Sequence, residues 1–236
     1  MKQDILYRWP AVAKFGRVVP KTKFNEHGSI SAAVREKFVG EVQRITWTYK
    51  LADETIHLRG DHKVPEIQVF SIDAKGDDIG EAVLTAIDRS IPFPIIFEIT
   101  TSSADDARVR MVAAHKVLGV RTPNMSMYLT TDWIPADTPR APLPTAIDLT
   151  GLYAQLLQPL LPIDLRRGES LSEATARMAI IRKLEHDIAG LEQKMRRERQ
   201  LNRKVELRRT LRLRTAELAD LTATSAPKSK DVTWTN

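Results

Sequence analysis

With no cysteine anywhere, the residues of this chain that could do chemistry are carboxylates, lysines, arginines and a few histidines. Disulfides, thiolate metal sites and cysteine nucleophiles are all removed, which fits a reducing, cytoplasmic setting. A metal-dependent nuclease needs an acid at the start of one strand and an acid-x-Lys at the end of the antiparallel next one. The carboxylates would hold the metal and the lysine would steady the attacking water. Asp53 or Glu54, followed by Asp73-Ala-Lys75, can be arranged in this way across a turn at Gly60 to Pro65. Asp53, Asp73 and Lys75 are therefore the candidate catalytic set, with magnesium as cofactor on that reading and no cofactor otherwise. Composition alone supplies about two acid-x-Lys triplets in such a chain. Three occur, at Asp61-His-Lys63, Asp73-Ala-Lys75 and Glu192-Gln-Lys194, and only the hairpin placement singles out the second.

The histidines, His27, His57, His62, His115 and His186, show no metal-ligand spacing, so no metal site is expected from them. Glu66 and Glu98 fall inside apolar stretches, where a carboxylate is costly unless paired, and Arg110 or Lys116 are candidate partners. No phosphate-binding glycine loop or nucleophile elbow is present, which disfavours NTPases and α/β-hydrolases.

The other chemistry is electrostatic. Arg196, Arg197, Arg199, Arg203, Lys204, Arg208, Arg209, Arg212 and Arg214 face only Glu198 and Glu206 in the same window, giving +9 − 2 = +7. The whole chain carries +6, so the rest is about neutral and the basicity belongs to one segment. Clustered cations displace counterions from nucleic acid, which makes Arg196, Arg197, Arg199, Arg203, Lys204, Arg208 and Arg209 candidate nucleic-acid contacts. The segment has no aromatic residue for stacking on bases, so nonspecific backbone contact is favoured over base reading.

The elements that must position these groups follow from periodicity. Ile30, Val34, Phe38, Val42 and Ile45 recur at helical spacing after Ser29 or Ser31, predicting a helix from about Ser31 to Arg44. Strands are expected over Thr46 to Leu58, with a break at Ala52 to Glu54, and over Glu66 to Ile72. Asp78-Ile-Gly-Glu81 reads as a capping box for a helix reaching Arg89. Pro92 to Ile99, Val109 to His115 and Met125 to Thr131 read as further strands, and a proline-rich link at Pro135 to Pro144 leads to a short helix capped by Asp148. The predicted class is α+β, a mostly antiparallel sheet with packed helices, over residues 1–165.

A second capping box, Ser170-Leu-Ser-Glu173, opens a helical arm over 170–223, with 224–236 as a flexible tail. Ile181, Leu184, Ile188, Leu191 and Met195 form a coiled-coil seam that returns at Leu207, Leu211, Leu218 and Leu221. The two halves mirror each other about Leu201, as in an antiparallel hairpin turning near Leu201-Asn202 with Asn202 left-handed. The alternative is a dimer of helices about 75 Å long. No apolar run reaches the roughly 18 residues of a membrane span, and the N-terminus has no hydrophobic signal core.

Taken together, Val19-Pro-Lys-Thr-Lys-Phe24, Ile45-Thr-Trp-Thr-Tyr-Lys-Leu51, Val64-Pro-Glu-Ile-Gln-Val-Phe70, Ile87-Asp-Arg-Ser-Ile-Pro-Phe-Pro-Ile-Ile-Phe97, Thr131-Asp-Trp-Ile-Pro135 and Gln200-Leu-Asn-Arg-Lys-Val-Glu-Leu207 resemble the bacterial domain-of-unknown-function family 4391. The resemblance runs over nearly the whole chain. Its members are often encoded beside DEAD/DEAH-type helicases and site-specific DNA methyltransferases, in restriction-like or phage-defence neighbourhoods. It implies a nucleic-acid setting with a helicase or methyltransferase as partner, and it carries over no catalytic residue. The expectation is a non-catalytic accessory protein, with a metal-dependent nuclease and a structural module dimerising through the arm as alternatives.

Overall fold

The computed structural model describes residues 5–26, 30–101, 107–118 and 124–223. His27 and the tail at 224–236 lie outside them. Two units are distinguished, Met1–Pro162 and Ile163–Asn236. The first contains β1 (Lys14–Val18), α1 (Thr22–Glu26), α2 (Ala32–Glu41), β2 (Val42–Leu51), α3 (Asp53–Ile56), β3 (Ile67–Ala74), α4 (Glu81–Ser90), β4 (Ile95–Thr100), β5 (Arg108–Val117), β6 (Asn124–Thr130), β7 (Ile134–Pro135) and α5 (Leu149–Leu157). The second contains α6 (Leu171–Arg197) and α7 (Leu201–Thr222).

The strands form one sheet in the order β1-β2-β3-β4-β5-β6, with β7 added beside β5. Every pairing is antiparallel except β3 with β4, which is parallel. Parallel neighbours need a crossover, and α4 supplies it. One face of the sheet, with Ile45, Phe70, Ile72, Phe97 and Ile99, shares a core with Phe24 of α1, Phe38 of α2 and Val83, Leu84 and Ile87 of α4. Alternation sends Ile67 and Val69 to the other face, where both are also buried, so β3 is covered on both sides.

The helix expected to reach Arg44 stops at Glu41. Val42 and Ile45 fit helical spacing, but they pair with Ala74 and Ile72 as the start of β2. The β-branched and aromatic run that follows gains more from a half-buried ladder than from another helical turn. Ser31 does cap α2, accepting from the Val34 amide. The capping box at Asp78 to Glu81 is replaced by a tertiary one. Glu41 Oε2 accepts from the Gly80 amide at 2.7 Å, and Asp78 instead accepts from the Ile79 amide and pairs with Arg110. A Cβ on Gly80 would sit 3.0 Å from that Glu41 oxygen, so glycine gives the carboxylate its approach. Asp148 caps α5 as its sequence signals, accepting from the Gly151 amide at 2.7 Å.

In the second unit, Ser170 and Glu173 close the expected capping box at the start of α6. The chain breaks at Glu198 to Gln200, so α6 and α7 form a hairpin rather than one long helix. The reversal comes slightly before the predicted Leu201-Asn202 and needs no left-handed residue. Glu198 and Gln200 are both extended, and His57 is the one non-glycine with positive φ among the described residues. The base of the hairpin is clasped by arginines: Arg177 donates to the Leu221 carbonyl at 2.9 Å, and Arg166 to the Asp220 carbonyl at 2.6 Å. Guanidinium groups there satisfy the free carbonyls that end α7 and oppose the negative end of its dipole.

Candidate nucleic-acid interface

The catalytic set expected from the acid-x-Lys pattern is not assembled. Leu51, just before Asp53, pairs with Ile67 at one end of β3, whereas Asp73 pairs with Arg44 at the other end. The stretch of β3 between them spans about 20 Å at roughly 3.3 Å per residue. Two carboxylates sharing a metal must lie within about 5 Å, so Asp53 and Asp73 cannot share one, and Glu54 fails for the same reason. Each residue has a structural partner or place instead. Asp73 accepts from Arg44 at 2.8 Å, Lys75 Nζ donates to the Val39 carbonyl at 2.7 Å, Glu54 pairs with Lys50 at 2.6 Å, and Asp53 opens the single turn of α3. Among the described residues no cluster of three His, Asp or Glu side chains is placed to hold a metal ion.

The carboxylates in apolar stretches are paired, though not with the partners expected. Glu98 takes both nitrogens of Arg140, at 2.7 and 3.0 Å, and the Trp9 indole at 2.8 Å. Arg140 also donates to the Tyr7 carbonyl, so this one carboxylate ties the N-terminal strap to the middle of the sheet. Glu66 pairs with Lys50 at 3.3 Å.

Lys116 is committed elsewhere, in a buried network that periodicity could not reveal. Its ammonium lies 2.7 Å from Asp88 and donates to the carbonyls of Asp88, Ile91 and Phe93 at 2.8 to 2.9 Å. Tyr128 donates to the same carboxylate, and the Tyr153 hydroxyl bonds the Ala114 carbonyl. Burial pushes the Asp88 carboxyl up and the Lys116 ammonium down, each against the pull of the other. Both tyrosine hydroxyls are pushed up, chiefly by burial. Only 1% of either charged side chain is exposed, so no substrate reaches the pair, and its work is to tie the end of α4 and the following turn to β5. The one hint in sequence was a lysine in the apolar run of β5.

The basic segment is where positive charge collects with few partners among the described residues. Leu207, Leu211, Leu218 and Leu221 are the half-buried leucines of α7, as the seam requires, and Lys204 lies with them on the seam side. Arg196, Arg197, Arg199, Arg203, Arg208 and Arg209 are exposed. None of these six forms an ion pair among the described residues, and the pair in α7 is Arg214 with Glu217.

At the tip, Lys194 and Arg197 from α6 and Arg203 from α7 surround an open hollow of about 520 Å³ together with Glu198, Glu206 and Thr210. Lys194, Arg196 and Arg197 end α6, where cations suit the negative end of the dipole. The start of α7 is the opposite case. It has no acid in its first turn, Gln200 provides no side-chain cap, and Arg203 and Lys204 add positive charge to an already positive helix end. A helix N-terminus favours an anion, and the Glu198 carboxylate already supplies one, accepting from the Gln200 amide at 2.8 Å.

No curated protein and no solved structure matches the chain. A family model does match, over residues 8–218, which include the whole sheet and both helices of the hairpin almost to the end of α7. The chain belongs to the family described as Domain of unknown function (DUF4391).

Proposed function

We propose that the protein is a non-catalytic accessory component of a bacterial DNA-processing or phage-defence system, docking on a helicase or DNA methyltransferase and touching nucleic acid with the tip of its basic hairpin. The observation that carries this reading is the surplus of exposed cations at the tip, where Arg196, Arg197, Arg199 and Arg203 outnumber Glu198 and Glu206 and none of the four forms an ion pair among the described residues. Like charges gathered at a positive helix end repel one another, and a phosphate backbone relieves that repulsion. The absence of aromatic side chains from the hairpin favours backbone contact without base reading. The setting and the partner rest on the genomic company that members of the family often keep.

Fluorescence anisotropy with labelled duplex DNA, titrated at several salt concentrations, tests the contact. If the tip neutralises about four phosphates, affinity falls roughly a hundredfold between 50 and 200 mM salt. Converting Arg196, Arg197, Arg199 and Arg203 to Glu should remove binding while the helical circular-dichroism signal is kept. Affinity that does not depend on salt, or that survives this variant, rejects the hairpin as the contact. Copurification from the native operon tests the partner, and a protein that elutes alone rejects the docking role.

A further inference from the structure

The seam does not use all the apolar residues of α7. Leu201, Val205 and Leu213 are 75%, 57% and 64% exposed, although each is large enough to gain from burial. At about 100° per residue, Leu207, Leu211 and Leu218 gather on one side of the helix, and Leu201, Val205 and Leu213 lie on the other. Arg208, Arg209 and Arg212 fall among these three, on an arc about 140° wide and about 18 Å long. None of the three arginines forms an ion pair or a side-chain hydrogen bond among the described residues. Glu206 is the one acid between Leu201 and Ala216, and it lines the hollow at the tip with Leu207 and Thr210.

A partner for this face must bury leucine and valine side chains and bring carboxylates to the arginines. Exposed ion pairs contribute little by themselves, so burial sets the affinity and the charges choose the partner. The backbone of α7 is already hydrogen-bonded within the helix, so an extended strand laid on it would leave its own amides and carbonyls unpaired. A helix satisfies its backbone internally and packs its side chains between those of α7. A second copy fails on charge, because pairing the same face of two chains sets Arg208, Arg209 and Arg212 against their equals. A duplex meets the arginines but leaves the three apolar side chains against phosphates, where they gain nothing.

We propose that the outward face of α7 docks an acidic amphipathic helix of a partner protein, with Leu201, Val205 and Leu213 against its apolar stripe and Arg208, Arg209 and Arg212 against its flanking carboxylates. This gives the docking role proposed above a surface and rests on that role. The nucleic-acid contact stays with Arg196, Arg197, Arg199 and Arg203 at the tip.

The probe is a labelled peptide of about 21 residues with leucine at heptad positions a and d and glutamate at e and g, and its counterpart has lysine in place of every glutamate. Fluorescence anisotropy with the full chain should give a Kd below about 100 µM for the acidic peptide and one about tenfold weaker or more for the basic peptide. Leu201→Gln, Val205→Gln and Leu213→Gln together should weaken the acidic peptide about tenfold or more, while the helical circular-dichroism signal and salt-dependent DNA binding are kept. Arg208→Glu with Arg212→Glu should reverse the preference between the two peptides. No binding of the acidic peptide, equal binding of both peptides, or binding that survives both variants overturns the proposal. So does loss of duplex binding in the glutamine variant, which gives the face to nucleic acid, or a parent dimer that this variant turns into a monomer, which gives it to a second copy. A partner that copurifies from the native operon separates the surface from the role. Retained by the glutamine variant, it keeps the docking role and rejects this surface. Absent from the parent too, it rejects the role and the surface with it.

Discussion

Replacing Lys116 with Met keeps the length of the side chain but removes its charge, and the structure fixes what is lost. Asp88 loses the cation 2.7 Å away while remaining buried, and the carbonyls of Ile91 and Phe93 lose the donor that holds the turn after α4. Removing one partner of a buried ion pair costs about 3–5 kcal/mol, because the other charge is left uncompensated. With a urea dependence near 2 kcal/mol per molar for a unit of this size, the unfolding midpoint should fall by roughly 2 M. Three of the four tryptophans, Trp9, Trp47 and Trp133, lie in the first unit, so the change in tryptophan fluorescence chiefly follows its unfolding.

The loss should also depend on pH. Burial already raises the Asp88 carboxyl, and removing Lys116 raises it further. A group whose folded pKa is raised contributes stability that is present below its unfolded pKa, near 4, and lost as pH rises through the folded value. The deficit of Lys116→Met relative to the parent should therefore be smallest near about pH 4 and grow towards neutrality. A deficit that stays flat across this range, or a midpoint shift under about 0.5 M, would refute the account of Lys116 and Asp88 as a coupled buried pair.

Gly60→Ala places a Cβ 2.5 Å from the Pro65 carbonyl oxygen, a backbone atom that cannot move aside cheaply. It should cost about 1–3 kcal/mol in a thermal melt followed by fluorescence, and an unchanged midpoint would show that the turn at 60–65 is loose. Asp148→Ala removes the 2.7 Å cap on the Gly151 amide and should cost about 1 kcal/mol, with most of it restored by Asp148→Asn. Equal losses in the two variants would place the role of Asp148 outside the cap.

Features that rest on a few neighbouring residues were legible in the sequence. Ser31, Asp148 and Ser170 cap the helices they announce, because a cap satisfies free amides within one turn and needs nothing distant. The hairpin seam was legible for a similar reason. Leucines recurring at three and four residues must share a face, and that face is the half-buried one in α7. The segregation of charge into that segment is a property of composition and needed no fold.

Register and long-range pairing belong to the tertiary structure. Asp53 and Asp73 looked able to converge because sequence does not say where along a ladder two strands meet, and the observed register puts them at opposite ends of β3. Val42 and Ile45 suited a helix as well as a strand until Ala74 and Ile72 were opposite them. The parallel partnership of β3 with β4 depends on where α4 returns the chain. Glu98 meets Arg140 and Trp9, and Asp88 meets Lys116, across separations of 28 to 89 residues. No local pattern encodes such partners, because a buried charge is tolerated only when the finished fold brings an opposite charge and hydrogen bonds to it. An open cleft above Trp47 and Phe70 is likewise decided by how far the helices extend over the sheet, which is a matter of packing that no single segment records.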